Sequence, residues 1–435
     1  MRIGYKILVV VALLVTVLIP ISLIRGTVQD RQRHQFEAVQ EVSLSTAGAQ
    51  RIVGPVLVVP YTDRTMVTRV DRDGVRREEE RVERGEWVYF PRALEVQGTL
   101  RPTPRRRGLY EVRLYEFDAR VQASFTATLP RPDDPAVKRS VGVPRLGLGL
   151  GDVRGLVGVP KLEVDGRAIA LRQGFGYRDG RGVHATLGTP VAGSTLTLDS
   201  RFTLTLQGTE SLSVVPIAGS TVVEIASAWP HPQFNGEFLP RTRTIGPDGF
   251  RARWEIASLA TDAQAQFLDP KAGDAGNALD AIGVSLVDPV NVYTQVDRAT
   301  KYALLFVLLT FVAFFMFEFL KALRIHPIQY GLVGLAIAIF FLLLLALSEH
   351  VAFALAYVVA AVACVALIGH YLAHVLGGWK RGVGFSAMLA TLYAALYGLL
   401  ISEDNAMVLG AGLLFVVLAT IMVLTRKVDW YRDVG

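Results

Sequence analysis

Cysteine is almost absent from this sequence of 435 residues, in which Cys364 is the single one. A lone thiol cannot form an intramolecular disulfide, so an ordinary hydrophobic core must hold each domain together. The chain also lacks a dense run of Lys and Arg with interleaved aromatic residues, although its formal net charge is +6. Nucleic-acid binders typically carry such a run, so we expect no nucleic acid among the partners.

Recognised patterns for catalysis and metal binding are missing as well. The region before residue 300 has no histidine pair at zinc spacing, no nucleophile elbow and no paired-carboxylate motif. The glycine-rich residues 147–155 lack the Lys-Ser/Thr ending of a phosphate-binding loop, and a glycine-rich turn between strands explains them better. We therefore predict that the protein is not an enzyme and has no catalytic residues, cofactor or metal.

Charged residues are scarce in the last third of the chain. Apolar runs follow one another from Lys301 to Val428, each about the ~20 residues that a helix needs to cross a bilayer. Five transmembrane helices are predicted in a C-terminal domain of residues 301–435: 302–323, 328–348, 351–374, 383–401 and 405–425.

The N-terminus adds a sixth predicted span. Arg2 and Lys6 precede the apolar run from Ile7 to Ile24, and no small-x-small cleavage site follows it. A cleaved signal peptide begins in a similar way, but its apolar core is usually shorter. Residues 1–24 are therefore predicted to be a retained signal anchor.

The charges of the loops indicate the orientation of the spans. Lys and Arg follow the first, third and fifth C-terminal runs, whereas Ser348-Glu349-His350 follows the second and Glu403-Asp404 the fourth. Lys and Arg collect on the cytoplasmic side of short loops. Both termini are therefore predicted to be cytoplasmic, and residues 25–300 to be exported.

The exported residues 25–300 are predicted to form a β-rich domain on a helical stalk. Apolar residues recur at helical spacing after Ile24, so residues 25–50 continue the first helix outward, and Gly48 and Gly54-Pro55 end it. Short alternating segments then follow, separated by Asp-Gly dipeptides such as Asp165-Gly166 that favour tight turns. We expect a large antiparallel β-sandwich or two stacked sheets.

One aromatic segment of this domain is a candidate binding loop. Trp229-Pro230-His231-Pro232 is rigid because both prolines restrict the backbone and remove hydrogen-bond donors. Trp229 and His231 are therefore either part of a packed corner between sheets or part of a ligand-binding loop.

Short stretches along nearly the whole chain carry a family resemblance. They are residues 49–61, 107–112, 152–155, 227–240, 301–302, 326–330, 348–350, 356–357, 403–404 and 425–431. In this order they resemble the CreD family of inner-membrane, cell-envelope-integrity proteins. Two departures are small: Thr46-Ala47 stands where a Trp is common, and Gln233 where a Ser is usual.

The resemblance implies a location and a phenotype rather than a chemistry. It places the chain in the bacterial inner (cytoplasmic) membrane, with the exported domain in the periplasm. It also implies a link to a two-component regulatory response and to envelope integrity. It implies no catalytic activity, cofactor or substrate.

Polar residues at membrane depth are costly and therefore invite a functional interpretation. Glu318 lies about one turn inside the predicted cytoplasmic end of its span, three residues before Lys321. A local ion pair with a snorkelling side chain explains it, and a proton or ion site is the alternative. His370 and His374 share a helix face, and with His326 and Glu318 they form a conceivable metal set; interfacial anchoring is the simpler explanation.

A second polar group is predicted on the outer side of the membrane. Glu349, His350, Glu403 and Asp404 occupy short outer turns and form an acidic group. Arg25, Arg31 and Arg33 leave the membrane on the same side, so opposite charges there are predicted to dock the exported domain onto the bundle.

Three functions are considered from these observations. The first is a non-enzymatic envelope protein, with the lipid bilayer as one partner and an envelope protein or cell-wall component as another. The alternative is a small ion- or proton-coupled transporter or flippase that uses the polar residues of the spans. A membrane enzyme ranks third, because the outer polar residues follow no recognisable catalytic spacing.

Overall fold

The computed structural model describes residues 3–70, 76–108, 110–269, 279–286, 292–320, 325–375, 378–402 and 406–426. The chain divides into two compact units: a membrane unit of Met1–Phe36 with Val290–Gly435, and a β unit of Glu37–Pro289. The domain borders were predicted after residues 24 and 300 and therefore differ from these. The membrane unit is larger than predicted because residues 25–36 and 292–300, which flank the apolar runs, pack with the apolar helices.

Helices make up the membrane unit, and α1 continues from it into the β unit. The helices are α1 (Ile3–Ser45), α2 (Ala263–Leu268, in the β unit), α3 (Val292–Lys301), α4 (Ala303–Leu320), α5 (Pro327–Ser348), α6 (Phe353–Val375), α7 (Trp379–Ile401) and α8 (Ala406–Thr425). Each predicted C-terminal span thus coincides with a helix to within a few residues over its described part.

Length and composition support fewer spans than six. α1, α5, α6 and α7 are long and apolar enough to cross a membrane. α3 and α4 meet the same requirement only as a pair, which is bent by 44°. The described apolar part of α8, Met407–Val423, is a shorter apolar helix. The described helices therefore give four spans, or five when the bent pair counts as one.

Close packing joins α1 to α5 inside the membrane unit. A Cβ atom at Gly334 of α5 would lie 2.6 Å from a methyl group of Val17 on α1 and 3.0 Å from the ring of Phe311 on α4. Glycine therefore allows the three helices to meet at this point, a use of small residues that is common between membrane helices.

The β unit contains two sheets, of nine and eight strands. The nine-stranded sheet holds β1 (Gln50–Val70), β2 (Arg76–Tyr89), β5 (Lys138–Val141), β6 (Arg145–Leu150), β9 (Arg172–Gln173), β10 (Gly182–Thr186), β12 (Ser211–Val214), β14 (Pro232–Gly236) and β17 (Ile282–Leu286). The eight-stranded sheet holds β3 (Ala93–Arg107), β4 (Tyr110–Thr128), β7 (Leu156–Val164), β8 (Arg167–Ile169), β11 (Thr195–Thr209), β13 (Ser220–Ser227), β15 (Thr242–Gly246) and β16 (Gly249–Ala257).

The sheets are mixed, which departs from the predicted antiparallel sandwich at two strand pairs. β1 pairs in parallel with β12, and β3 pairs in parallel with β13. Most other pairings are antiparallel, including the long hairpins of β1 with β2 and of β3 with β4. One buried cluster contains side chains of both sheets, among them Val56, Leu148, Phe117, Phe202 and Trp254. The two sheets therefore share a hydrophobic core.

Three local predictions need correction. The helical stalk ends at Ser45 rather than at residue 50, and Gly54-Pro55 lies inside β1 at an irregularity in its register. Part of the glycine-rich run is a strand, β6, rather than a turn. Its Gly147 is required because the carbonyl oxygen of Phe175 occupies the place of a Cβ atom.

Candidate functional site

Glu318 is the most deeply buried of the predicted polar residues of the spans. Only 6% of it is exposed, near the end of α4. The hydroxyl of Tyr330 donates to Oε2 at 2.8 Å, and the backbone N–H of Ile325 donates to Oε1 at 3.1 Å. The predicted partner Lys321 lies outside the described residues. Glu318 therefore links the end of α4 to the start of α5.

Tyr330 is the partner that sequence reasoning missed. Its ring is fully buried and packs between Phe311 and Phe314, with ring centroids 5.8 and 4.6 Å away. A contact between residues twelve positions apart, on two different helices, follows no local periodicity. The only signal was that Tyr330 lies in one of the stretches that carry the family resemblance.

His326 has a structural role at the start of α5. Its Nδ1 accepts from the N–H of Ile328 at 3.3 Å, while its own N–H donates to the side chain of Gln329 at 3.0 Å. This reciprocal capping provides acceptors for backbone N–H groups at the helix N-terminus. Pro327, in the first turn, has no N–H and needs no acceptor.

The conceivable metal set is not assembled. His370 and His374 lie on one helix with their rings edge to face and their ring centroids 4.8 Å apart, and His374 contacts the carbonyl of His370. Within the described ranges, no three His, Cys, Asp or Glu side chains are grouped closely enough to hold a metal ion. The histidines therefore do not converge with Glu318.

At the predicted outer end of the membrane unit, Glu349 joins two helices to α5. Arg31 of α1 places its Nε 3.3 Å from Oε1 of Glu349, and the hydroxyl of Tyr293 of α3 donates to the same oxygen at 3.4 Å. The Glu349 side chain is only 10% exposed. His350 is exposed, and Glu403 and Asp404 lie outside the described residues.

A second ion pair connects α1 to α3. Arg25 lies 3.5 Å from Asp297, which also pairs with Lys301 at 2.7 Å. Arg33 instead approaches Asp30 on its own helix at 3.8 Å. Asp297 was missed because residues 292–300 were assigned to the exported domain.

The segment from Trp229 to His231 forms a packed corner. The indole of Trp229 donates to the carbonyl of His231 at 2.9 Å, and the guanidinium of Arg113 lies 5.2 Å from its ring. His231 is exposed, while Trp229 is partly buried. Of the two predicted alternatives, this geometry favours the packed corner.

A polar cluster at the C-terminal end of α1 was not predicted as a site. Gln50 is 1% exposed, and its amide donates to the carbonyls of Asp152 and Gln207 at 2.9 and 2.8 Å while accepting from the N–H of Asp152 at 3.1 Å. Arg154 pairs with Asp152 and donates to the carbonyl of Leu44 at 2.6 Å. The cluster therefore holds the last turn of α1 against the sheets.

An ion pair and apolar packing also stabilise this contact between the last turn of α1 and the sheets. Hydrogen bonds from Arg154 hold the pKa of Asp152 below its ordinary value, so the carboxylate stays ionised. Val42 of α1 is buried together with Val112 and Leu114 of β4. Residues 152–155 are one of the stretches that carry the family resemblance, and these contacts give them a structural role.

Comparisons with known proteins agree with one another on the family. The sequence model of the CreD family, described as inner membrane protein CreD, matches residues 2–431. Inner membrane protein CreD of Escherichia coli (strain K12) is 36% identical over 420 residues, covering 95% of this chain and 90% of that protein.

Similarity to solved structures is weaker. An M1 zinc metallopeptidase from Deinococcus radiodurans aligns with a TM-score of 0.20 and 10% identity, over 45% of this chain and 41% of that one. A similarity this low carries no inference about fold or activity.

Proposed function

The chain belongs to the CreD family, and we propose that it is a multi-pass inner membrane protein that supports cell-envelope integrity without catalysing a reaction. Its β unit binds an envelope protein or cell-wall component on the periplasmic side. The observation that carries this proposal is a β unit with its own core, Glu37–Pro289, inserted in the chain between apolar helices. A domain of this size on a membrane anchor is suited to recognition.

The proposed topology has six spans, an uncleaved N-terminal anchor and both termini in the cytoplasm. The alternation of loop charges supports it. Reporter fusions after Arg324 and Arg381 should give cytoplasmic signals, and fusions after His350 and Asp404 should give exported signals. An exported signal at Arg381 would overturn the last three spans.

Binding by the β unit is tested by cross-linking in intact cells. A photo-reactive amino acid at Val159 or Leu239, which are 88% and 68% exposed, should capture an envelope protein or a cell-wall fragment. The same amino acid at Phe117, which is fully buried, is the matched control. Capture that is equal at exposed and buried positions, or absent over a scan of the exposed face, would contradict the proposal.

The ion pair of Glu349 with Arg31 gives the anchor a role in this function. We expect it to fix the stalk part of α1 on the bundle, because both side chains come from helices of the membrane unit. Glu349→Gln should reduce disulfide cross-linking between cysteines placed on α1 and α5 and leave membrane insertion intact. His350→Ala, at the exposed neighbouring position, should leave the cross-linking unchanged.

A small proton- or ion-coupled transporter is the second candidate function. The burial of Glu318 within an apolar helix favours it, since buried acidic residues in membranes often belong to proton pathways. If the protein transports, Glu318→Gln alone should abolish the envelope phenotype at normal protein levels. If the β unit carries the function, Glu318→Gln should have a milder effect than Glu349→Gln.

A further inference from the structure

Two hollows lie side by side on the outer face of the eight-stranded sheet. The first, of about 520 Å³, is centred on β3, β4 and β11 around Gly98, Ala119 and Leu204. The second, of about 380 Å³, lies further along the same three strands, around Ala123 and Ser200. The residues that line them are polar, charged or small apart from Leu204.

The first hollow contains one guanidinium that lacks an acceptor. Asp118 pairs with Arg101 at 2.8 Å, and Glu224 pairs with Arg251 at 3.2 Å. Arg120 is exposed between them, and no acceptor contacts its guanidinium anywhere in the described ranges. A guanidinium offers five donors in a planar fork that fits a carboxylate.

The second hollow is acidic. Three carboxylates and one guanidinium line it. Glu163 pairs with Arg201 at 3.5 Å, and Glu95 accepts from the amide of Gln97 at 2.7 Å. The exposed carboxylate of Asp199 has no donor among the residues that the structure describes. Arg120 and Asp199 are therefore the two charged groups of the hollows that have no partner among the described residues.

The register of the strands gives the separation of the two backbone positions that carry these charges. Arg120 of β4 faces Thr203 of β11, and Asp199 of β11 faces Ser124 of β4. Arg120 and Asp199 are therefore four residues apart along the strand direction. At roughly 3.3 Å per residue this is about 13 Å. Residues at even spacing share a face, so both side chains project on the same side of the sheet.

We propose that the two hollows bind a short extended peptide with free termini, with its carboxylate on Arg120 and its ammonium at Asp199. An extended tetrapeptide is about 13 Å long, which matches the separation of the two backbone positions along the strands. Gln122 lies between them in the register, level with Glu95 and Arg201, and offers its amide to the peptide backbone. The inference rests on the proposed binding function of the β unit and names the class of its ligand.

Binding is tested with tetra-alanine and the full-length protein in detergent micelles at low ionic strength, by isothermal titration calorimetry. Tetra-alanine should bind about threefold to fivefold more tightly than N-acetyl-tetra-alanine, which lacks the ammonium, and than tetra-alanine amide, which lacks the carboxylate. Di-alanine, which is too short to reach both charges, should bind no better than either blocked peptide.

Substitutions should mirror these changes in the ligand. Arg120→Gln should weaken tetra-alanine binding about threefold to fivefold and leave the affinity for the amide unchanged, because the amide carries no carboxylate for Arg120. Asp199→Asn should weaken tetra-alanine binding by a similar factor. It should leave the affinity for the acetylated peptide unchanged, because that peptide carries no ammonium for Asp199. Arg105→Gln removes the same charge at an exposed position of β3 outside both hollows and is the control.

The outcomes separate this inference from the proposed function. Absence of tetra-alanine binding, or equal affinity for the free and the blocked peptides, would overturn the peptide site. Both comparisons with blocked peptides use the unaltered protein, so their results test the site even if a variant fails to fold. Capture of an envelope component in cells without tetra-alanine binding would sink the peptide site alone.

Discussion

The β unit and the membrane unit place their polar groups in opposite ways. In the β unit, side chains such as Phe117 and Trp254 fill the interior, while charged residues such as Arg251 and Glu224 form ion pairs on the exposed face of a sheet. In the membrane unit, large apolar side chains are exposed, for example Leu8 at 66% and Leu23 at 68%. Several polar contacts of the membrane unit instead lie inside.

A chain of hydrogen bonds shows this inner arrangement. The hydroxyl of Tyr357 on α6 donates to the carbonyl of Tyr393 on α7 at 2.8 Å. The hydroxyl of Tyr393 donates to Sγ of Cys364 at 3.0 Å, and Cys364 donates to the carbonyl of Ala336 on α5 at 3.4 Å. Three helices are thus joined through one buried path.

The difference follows from the solvent of each unit. Removing apolar surface from water stabilises the β unit, so its core decides its stability. Lipid is as apolar as leucine, so burying an apolar side chain between helices gains little in the membrane. Close packing and hydrogen bonds must therefore determine how the helices are arranged. Core substitutions should therefore have large effects in the β unit, and loss of single hydrogen bonds in the membrane unit should have small ones.

The largest effect is expected for Trp254→Ala. Trp254 is 1% exposed, packs against Phe234 and donates to the carbonyl of Phe238. The substitution should lower the free energy of unfolding of the β unit by about 3–5 kcal/mol, since it leaves a cavity. Urea unfolding of the full-length protein in micelles, followed by the circular dichroism of the sheets, measures this loss. Leu259→Ala, at a residue that is 99% exposed, should change little.

Gln50→Ala should have the next largest effect. It removes the three hydrogen bonds of the buried Gln50 amide, close to the end of α1, and leaves the N–H of Asp152 without its acceptor. The expected loss in the free energy of unfolding is about 1–3 kcal/mol. Limited proteolysis should also cleave near Ser45 faster in the variant. An unchanged cleavage rate would show that the apolar contacts of Val42 hold the junction alone.

A pH-dependent contribution is expected from Asp63 in the β unit. Hydrogen bonds from Arg139, at 2.7 and 2.6 Å, hold the pKa of Asp63 below its ordinary value. The pair therefore adds stability above the unfolded-state pKa of about 3.9, and this stability is lost as the pH falls through the lower pKa of the folded state. Asp63→Asn should cost about 1 kcal/mol at neutral pH.

The difference between Asp63→Asn and the unaltered protein should vanish in acid. Urea unfolding at neutral pH and at a pH well below the folded-state pKa measures both values. Glu95→Gln is a suitable control, because Glu95 lies on the exposed sheet face and its recorded partner is the neutral amide of Gln97. A difference that persists unchanged in acid would mean that packing, rather than the ion pair, stabilises this site.

Local features could be predicted from the sequence, and contacts between distant elements could not. The helices from Pro327 onward match their predictions because composition and capping act within a few residues. The parallel pairing of β1 with β12 joins Gln50 to Leu212, and no period in the sequence encodes it. Likewise, the charge of Glu318 was recognised as unusual, whereas its bond to Tyr330 depends on how two helices meet.

The smallest effect is expected for Tyr393→Phe in the membrane unit. The ring of Tyr393 stays packed against Phe306 and Phe340, and only the bond to Cys364 is lost. Interhelical hydrogen bonds in membranes average about 0.6 kcal/mol, because the unfolded helices also find partners. Unfolding in mixed micelles with increasing dodecyl sulfate, followed by helical circular dichroism, should show a loss of that size. Tyr393→Ala also removes the packed ring and should cost several times more. A loss above about 2 kcal/mol for Tyr393→Phe would mean that the hydrogen-bond chain, rather than aromatic packing, holds α5, α6 and α7 together.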